Sequence, residues 1–345
     1  MIQGTTKTEE LYRAVMLDSS SSLKDFSMDR KKYHRKHILN EEVKEKDSVA
    51  ANLGRLVETM LWEPELFDDK FFMSTVAYIP TGLMLEFVER LYEVTLDSTD
   101  ESGNISRSFT ELAEEAYTLS SFKIKFEQVL KKFIGSDAEL YYNEIRQVRS
   151  KKLTVVDTQQ VATAERIIET LRTDPNVKHV VNCVTSQRYD VKDQMQVEDY
   201  AVDGHQFKSM MDRVIVDHEE MTIQVYDLKC TWNVENFYEE YYLYRRAYIQ
   251  AYLYMRAAEW MFREHVDYTV LEPIFLVCDS ANYFRPLLYE VSSANLYDAY
   301  NGFEHKGRKY PGVKALIEEL SWAHENNIWN ISLENLNNNG IAILK

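Results

Sequence analysis

Residues 208–229, KSMMDRVIVDHEEMTIQVYDLK, constrain the fold of this chain more tightly than any other stretch. Two runs rich in β-branched and aromatic residues flank a polar turn. The first is Asp212-Arg213-Val214-Ile215-Val216, the turn is Asp217-His218-Glu219-Glu220, and the second covers residues 222–231. That pattern predicts a β-hairpin. Side chains alternate between the two faces of a strand, so Ile223, Val225, Asp227 and Lys229 share one face while Tyr226 and Leu228 take the other. Two apolar residues thus lead into an acid and an amine that point the same way at the strand's end. Asp212 approaches the same spot from the neighbouring strand.

Two carboxylates and an ammonium converging at a sheet edge suit a divalent cation that works on phosphoryl groups. Mg²⁺ prefers carboxylate oxygens and keeps several waters for substrate phosphates. Bound there, such a cation polarises a phosphodiester and activates water. A neighbouring lysine orients that water or offsets charge in the transition state. By itself, the D-x-K spacing also fits an ordinary hairpin whose charges form surface ion pairs of little worth.

Two helical stretches bear on the choice. In residues 48–62 the apolar positions Val49, Leu53, Leu56, Val57, Met60 and Leu61 repeat at helical spacing, and Pro64 ends the pattern. Gly54 and Glu58 stand four apart, hence on one side of that helix. Residues 237–265 predict one long aromatic-rich helix, capped by Asn236. On it Gln250 and Tyr254 are likewise adjacent. A glutamine there can hydrogen-bond a phosphate, a water or a base, and a tyrosine adds a phenol donor and a stacking face. An ordinary buried helix stripe has the same spacing.

Taken together, these segments resemble the PD-(D/E)XK nuclease superfamily. Asp212 with Asp227-Leu228-Lys229 looks like its core motif, and Gln250-Ala251-Tyr252-Leu253-Tyr254 matches the Q-x-x-x-Y motif of its RecB-like branch. Leu53-Gly54-Arg55-Leu56-Val57-Glu58, followed by Leu61-Trp62-Glu63-Pro64-Glu65, resembles the family's L-G-x-x-x-H…L-E-P-E segment. Ser20-Ser21-Ser22-Leu23-Lys24-Asp25-Phe26 is similar to the S-x-S-x-L-K opening of the exonuclease VIII (RecE-like) phage group. The resemblance runs from about Ser20 to Val291. One departure is Glu58, where the family commonly has a metal-binding histidine; glutamate is also a hard oxygen ligand.

The resemblance implies an α/β fold, a mixed central β-sheet flanked by helices in the manner of restriction endonucleases. It implies a metal-dependent DNA exonuclease. Glu58, Asp212 and Asp227 would ligate one or two Mg²⁺ ions (Mn²⁺ substituting), with the Leu228 carbonyl as a further ligand. Lys229 would position the attacking water, and Gln250 and Tyr254 would organise substrate. The likeness to the exonuclease VIII group further implies digestion of linear duplex DNA from 5′ ends in phage recombination, with a single-strand annealing protein as partner and a ring-like homo-oligomer as the assembly. Two other functions fit the same scaffold: a single-strand- or structure-specific nuclease, and a non-catalytic DNA-binding or assembly protein. Related CRISPR-adaptation nucleases hold an iron–sulfur cluster on four cysteines; this chain has three, Cys183, Cys230 and Cys278.

Composition sets the remaining bounds. A chain of 345 residues with 45% apolar content buries a sizeable core and reads as one domain over 1–345, with a helical insertion at 79–152. A net charge of −16 argues against a general nucleic-acid coat; a nuclease needs only a local basic lining. The cysteines, dispersed and odd in count, fit a reducing cytosol and show no disulfide or metal-knuckle spacing. The first residues lack the apolar core of a signal peptide, and no apolar run is long enough to span a bilayer.

Against the acidic background, residues 29–37, DRKKYHRKH, form a basic cluster. Lys31, Lys32 and Arg35 would contact DNA phosphates with Tyr33 as a stacking platform, or would form a solvated helix face. His34 and His37 suit a basic patch better than a metal. Arg245 and Arg246 are further phosphate-contact candidates. Two more basic patches are Lys123, Lys125, Lys131 and Lys132, and Arg146, Arg149, Lys151 and Lys152; each alone reads as a solvated face. Residues 177–184 look β-rich and 194–202 predict a strand.

Overall fold

The structure is a computed structural model that describes residues 7–41, 49–76, 79–100, 102–148, 153–282 and 284–341. The chain divides into two compact units: Ala51–Ile168, and Met1–Ala50 together with Glu169–Lys345. Arg149, Lys151, Lys152 and Tyr283 lie outside the described residues.

The second of these units is built on a six-stranded mixed sheet. Its strands are β1 (Tyr189–Val202), β2 (His205–Asp217), β3 (Thr222–Thr231), β4 (Thr269–Val270), β5 (Ile274–Asp279) and β6 (Leu287–Glu290). The order is β1-β2-β3-β5-β6, with β4 also pairing β3. β1, β2 and β3 form an antiparallel meander, β5 runs parallel to β3, and β6 returns antiparallel. The β2–β3 hairpin is the one the sequence predicts. Its turn closes at Met221 with a φ of 54°, a left-handed conformation.

Alternation positions the core. On β3, Ile223, Val225 and Asp227 are all buried. Helix α1 (Ser20–Met28) and helix α2 (Ala247–Met261) pack on each other, and α2 also lies across β1, β2 and β3. α2 is almost wholly buried, from Ala247 through Met255, and shares one hydrophobic core with Leu23, Phe26, Val214 and Val225. Helix α1 starts where Ser19 and Ser22 form a reciprocal capping box, which satisfies two of the backbone donors left over at a helix start. The Ser22 hydroxyl also donates to Asp18 at 2.8 Å.

The structure departs from the sequence pattern in two places. Residues 177–184 are not a strand. Asp174 turns the chain, its side chain accepting from the Asn176 N–H at 2.8 Å and its carbonyl accepting from Lys178 N–H at 2.9 Å. Val177, Val180 and Val181 are then buried at helical spacing around the short helix Lys178–Val181. Residues 237–265 are not one helix either. A π-helical turn, Tyr238–Tyr244, stops at Arg246, which is left-handed with a φ of 56°, and α2 starts afresh at Ala247.

In the unit Ala51–Ile168, the helices Gly82–Asp97, Phe109–Thr118, Phe126–Phe133 and Asp137–Val148 enclose a core around Phe87, Leu91, Leu112, Val129, Phe133 and Ile145. A parallel pair of short strands, Phe71–Met73 and Thr154–Val156, belongs to the same unit. So does the helix Val49–Trp62 from Ala51 onward, whose Leu53, Leu56, Val57 and Leu61 are buried as their spacing predicts. Among the described residues, no helix is long and apolar enough to cross a membrane.

Candidate active site

The site forms where two strands part. β2 and β3 are in ladder register from Asp217↔Thr222 to Arg213↔Tyr226. Beyond Tyr226, β3 continues on the register of β5, from Tyr226↔Ile274 to Thr231↔Asp279, while β2 continues on β1. At this fork a side chain takes over from the ladder: Asp212 Oδ2 accepts a hydrogen bond from the Leu228 backbone N–H at 2.8 Å. The half-buried Asp212 carboxylate is thereby fixed against the peptide that joins Asp227 to Leu228.

Asp227 is 1% exposed. One of its carboxylate oxygens pairs with the Lys229 ammonium, two positions along the same face of β3. The other accepts from the Gln250 side-chain N–H at 2.7 Å. Gln250 also donates to Tyr254 Oη at 2.9 Å, and Tyr254 donates to the Met210 carbonyl at 2.7 Å. Burial, with the charges of Asp227 and Asp212, pushes the Tyr254 phenol well above its usual range, so it remains a donor.

This network fixes the Gln250 amide. Asp227 only accepts, and Tyr254 has given its proton to Met210, so the amide NH₂ faces both of them. The amide oxygen faces Lys24, whose Nζ donates to it at 3.3 Å. Lys24 belongs to the S-x-S-x-L-K segment but carries no assigned role at the level of sequence. Burial and the Lys229 charge push its ammonium down to about 8, against the opposing pull of Asp227, Asp25 and Asp212.

Gln250 is therefore a positioning residue for Asp227. Tyr254, 5% exposed, cannot offer a stacking face to a base, which corrects that part of the expectation. The donor set is the Asp212 and Asp227 carboxylates and the Leu228 carbonyl, which accepts from Lys229 Nζ at 3.4 Å; all are hard oxygens. Among the described residues, no group of three or more His, Cys, Asp or Glu side chains is arranged to hold a metal. Mg²⁺ is typically held by one or two carboxylates and completes its shell with water and substrate phosphate, so this donor set fits it. Glu58 is half-buried on the helix Val49–Trp62 of the other unit.

No family model matches this chain, and no curated protein matches it. Among solved structures, it is similar to a protein from Eubacterium rectale provisionally named an exonuclease, with 11% identity, a TM-score of 0.46 and coverage of 98% of this chain and 89% of that one.

The basic cluster at 29–37 is largely engaged inside its own unit. Lys32, Lys36 and His37 all meet the Asp25 carboxylate, at 2.8, 3.3 and 3.0 Å. Arg35 pairs with Glu41 at 2.6 Å, while the Lys31 side chain is exposed. Tyr33 is not a stacking platform for bases: it is 2% exposed, its hydroxyl donates to Asp18 at 3.0 Å, and its ring stacks on Trp329. His34 also stacks on Trp329, with ring centroids 4.8 Å apart. Arg245 is exposed, with its guanidinium over the Tyr241 ring at 4.4 Å. Arg246 is half-buried and donates through one guanidinium nitrogen to the Ser27 carbonyl at 2.7 Å.

Proposed function

We propose that this chain is a metal-dependent deoxyribonuclease that hydrolyses phosphodiester bonds. The observation that carries this is the fork itself: Asp212 anchored on the Leu228 N–H, and Asp227 paired with Lys229 and fixed by Gln250. A surface hairpin with incidental ion pairs has no reason to bury its aspartate at 1% exposure and to hold both of its carboxylate oxygens.

Asp212, Asp227 and the Leu228 carbonyl would hold Mg²⁺ or Mn²⁺; Glu58 is a candidate ligand on the motif resemblance alone. Such an ion, when bound, polarises the phosphoryl oxygens and stabilises the departing 3′ oxygen. Lys229 holds the attacking water by hydrogen bond and offsets negative charge that builds on the phosphate. Gln250 and Tyr254 keep the Asp227 carboxylate in one orientation through the reaction. The water oxygen bonds to phosphorus as the bond to the 3′ oxygen breaks, leaving a 3′ hydroxyl and a 5′ phosphate.

The finer form of the proposal is an exonuclease acting 5′ to 3′ on linear duplex DNA, in the cytoplasm of a phage's host. It would work as a homo-oligomer beside a single-strand annealing protein in recombination or repair. It rests on the motif resemblance alone. The deciding experiment uses a linear duplex with one labelled end, incubated with Mg²⁺ or with chelator. Metal-dependent shortening from the 5′ end supports the proposal, and so does its loss in Asp227→Ala. An inert wild-type protein, or one equally active in chelator, overturns it.

A further inference from the structure

The fork holds one more charged group than Asp212, Asp227 and Lys229. Lys24 reaches it from α1, a helix fixed at its start by the Ser19–Ser22 capping box and along its length by buried Leu23 and Phe26. The acids around it are committed elsewhere. Asp25, its neighbour in sequence, is met by Lys32, Lys36 and His37. Asp227 pairs with Lys229, and Asp212 accepts from the Leu228 N–H. Among the described residues, the one hydrogen bond from Lys24 Nζ goes to a neutral acceptor, Gln250 Oε1, at 3.3 Å. An ammonium has three donors and, half-buried, is costly to leave with a single long hydrogen bond.

Resting on the nuclease reading above, we propose that Lys24 is the phosphate-binding cation of this site: its ammonium contacts a non-bridging oxygen of the DNA strand held at the fork. A phosphate supplies the anionic acceptor that Lys24 lacks in the free protein. Lys229 is already tied to Asp227 and serves the water, so the two lysines divide the work. Because Lys24 also touches Gln250, an arriving phosphate and the orientation of Asp227 are linked through one amide. The depressed ammonium is consistent with a cation that is under-compensated until substrate arrives.

The test compares wild type, Lys24→Met and Lys24→Arg. Methionine keeps most of the aliphatic stem and removes the charge; arginine restores a donor for phosphate. Cleavage is followed on a linear duplex bearing either a 5′ phosphate or a 5′ hydroxyl, with thermal melting as the check on folding. We expect Lys24→Met to lower kcat/KM by about tenfold or more and Lys24→Arg to recover most of it. With Ca²⁺ replacing Mg²⁺ to prevent cleavage, the log–log salt dependence of duplex binding becomes shallower by about one in Lys24→Met, the mark of one lost phosphate contact. A defect on both substrates assigns the contact to a phosphodiester within the strand; a defect confined to the 5′-phosphorylated end assigns it to the terminal phosphate. Should Lys24→Met melt early, the salt slope alone decides. Wild-type kcat/KM and slope in Lys24→Met overturn the proposal while leaving the nuclease function standing. A wild-type protein inert toward DNA overturns both.

Discussion

Asp212 Oδ2 lies 2.8 Å from the backbone nitrogen of Leu228, accepting its hydrogen bond just past the last ladder pair of β2 and β3. This contact closes the crotch of the fork and brings two aspartates from separate strands to one peptide. Removing it affects both stability and chemistry. Asp212→Ala leaves the Leu228 N–H without this acceptor, a loss of about 1–2 kcal/mol. Asp212→Asn retains an acceptor oxygen and costs less. Both variants lose metal-dependent cleavage, since neither keeps the charge. Urea unfolding separates the two variants, and nuclease activity does not.

Gln250 and Asp227 define the second prediction. The 2.7 Å hydrogen bond between them, with the Lys229 ion pair on the other oxygen, holds the carboxylate in one orientation. Side chains that orient a metal ligand typically matter by 10–100-fold. Gln250→Ala therefore lowers kcat by about that factor with little change in KM, because it does not itself hold substrate. Gln250→Glu fares no better: it places a second negative charge against Asp227. Steady-state kinetics on a linear duplex read the split, and a rise in KM at constant kcat would assign Gln250 to substrate binding instead.

Asp25 gives the pH-dependent prediction. Burial alone would raise its carboxyl, but hydrogen bonds from His37 and Lys32 and the charges of Lys36 and Lys32 override this and hold it well below the usual range. A carboxyl whose folded pKa is depressed stabilises the fold above its unfolded pKa, and that contribution fades as pH falls toward the folded value. Asp25→Ala is accordingly less stable than wild type at pH ~7, by about 1–3 kcal/mol. The gap narrows below about pH 4, where the unfolded chain takes up the proton. Urea midpoints at two pH values check the sign. A gap that widens on acidification refutes the assignment.

What was legible in the sequence follows from range. The β2–β3 hairpin obeys strict alternation and a local turn, so Ile223, Val225 and Asp227 could be placed on one buried face without knowing any other element. Gln250 and Tyr254 are neighbours by helical geometry alone, and their hydrogen bond follows. The failures are non-local. Arg246 breaks the 237–265 helix while tied to the Ser27 carbonyl, 219 positions away. Tyr33 is drawn inside by Asp18 and by Trp329 from the far end of the chain. Cys230 and Cys278 look unrelated in sequence, yet parallel pairing of β3 with β5 brings their sulfurs to 3.1 Å. Lys24 enters the site only because α1 packs on α2. Its signal was present in the S-x-S-x-L-K segment, but helical spacing alone gives that lysine no destination.

The last prediction concerns Glu58, which stands where the resembling family commonly has histidine. Two aspartates suffice for a cation that completes its shell with water and phosphate, so a third acid is a separable claim. If Glu58 is a metal ligand, as the motif resemblance implies, Glu58→Ala weakens Mn²⁺ binding by about tenfold or more, as removing a ligand from an oxygen site should. Glu58→His, which restores the residue type of the family, recovers Mn²⁺ binding better than Mg²⁺ binding, because imidazole suits the softer ion. Calorimetry of Mn²⁺ binding to wild type, Glu58→Ala and Asp227→Ala reads this directly, with circular dichroism confirming the fold. Unchanged affinity in Glu58→Ala beside lost binding in Asp227→Ala would restrict the cation to the fork and leave Glu58 as a residue of its own helix.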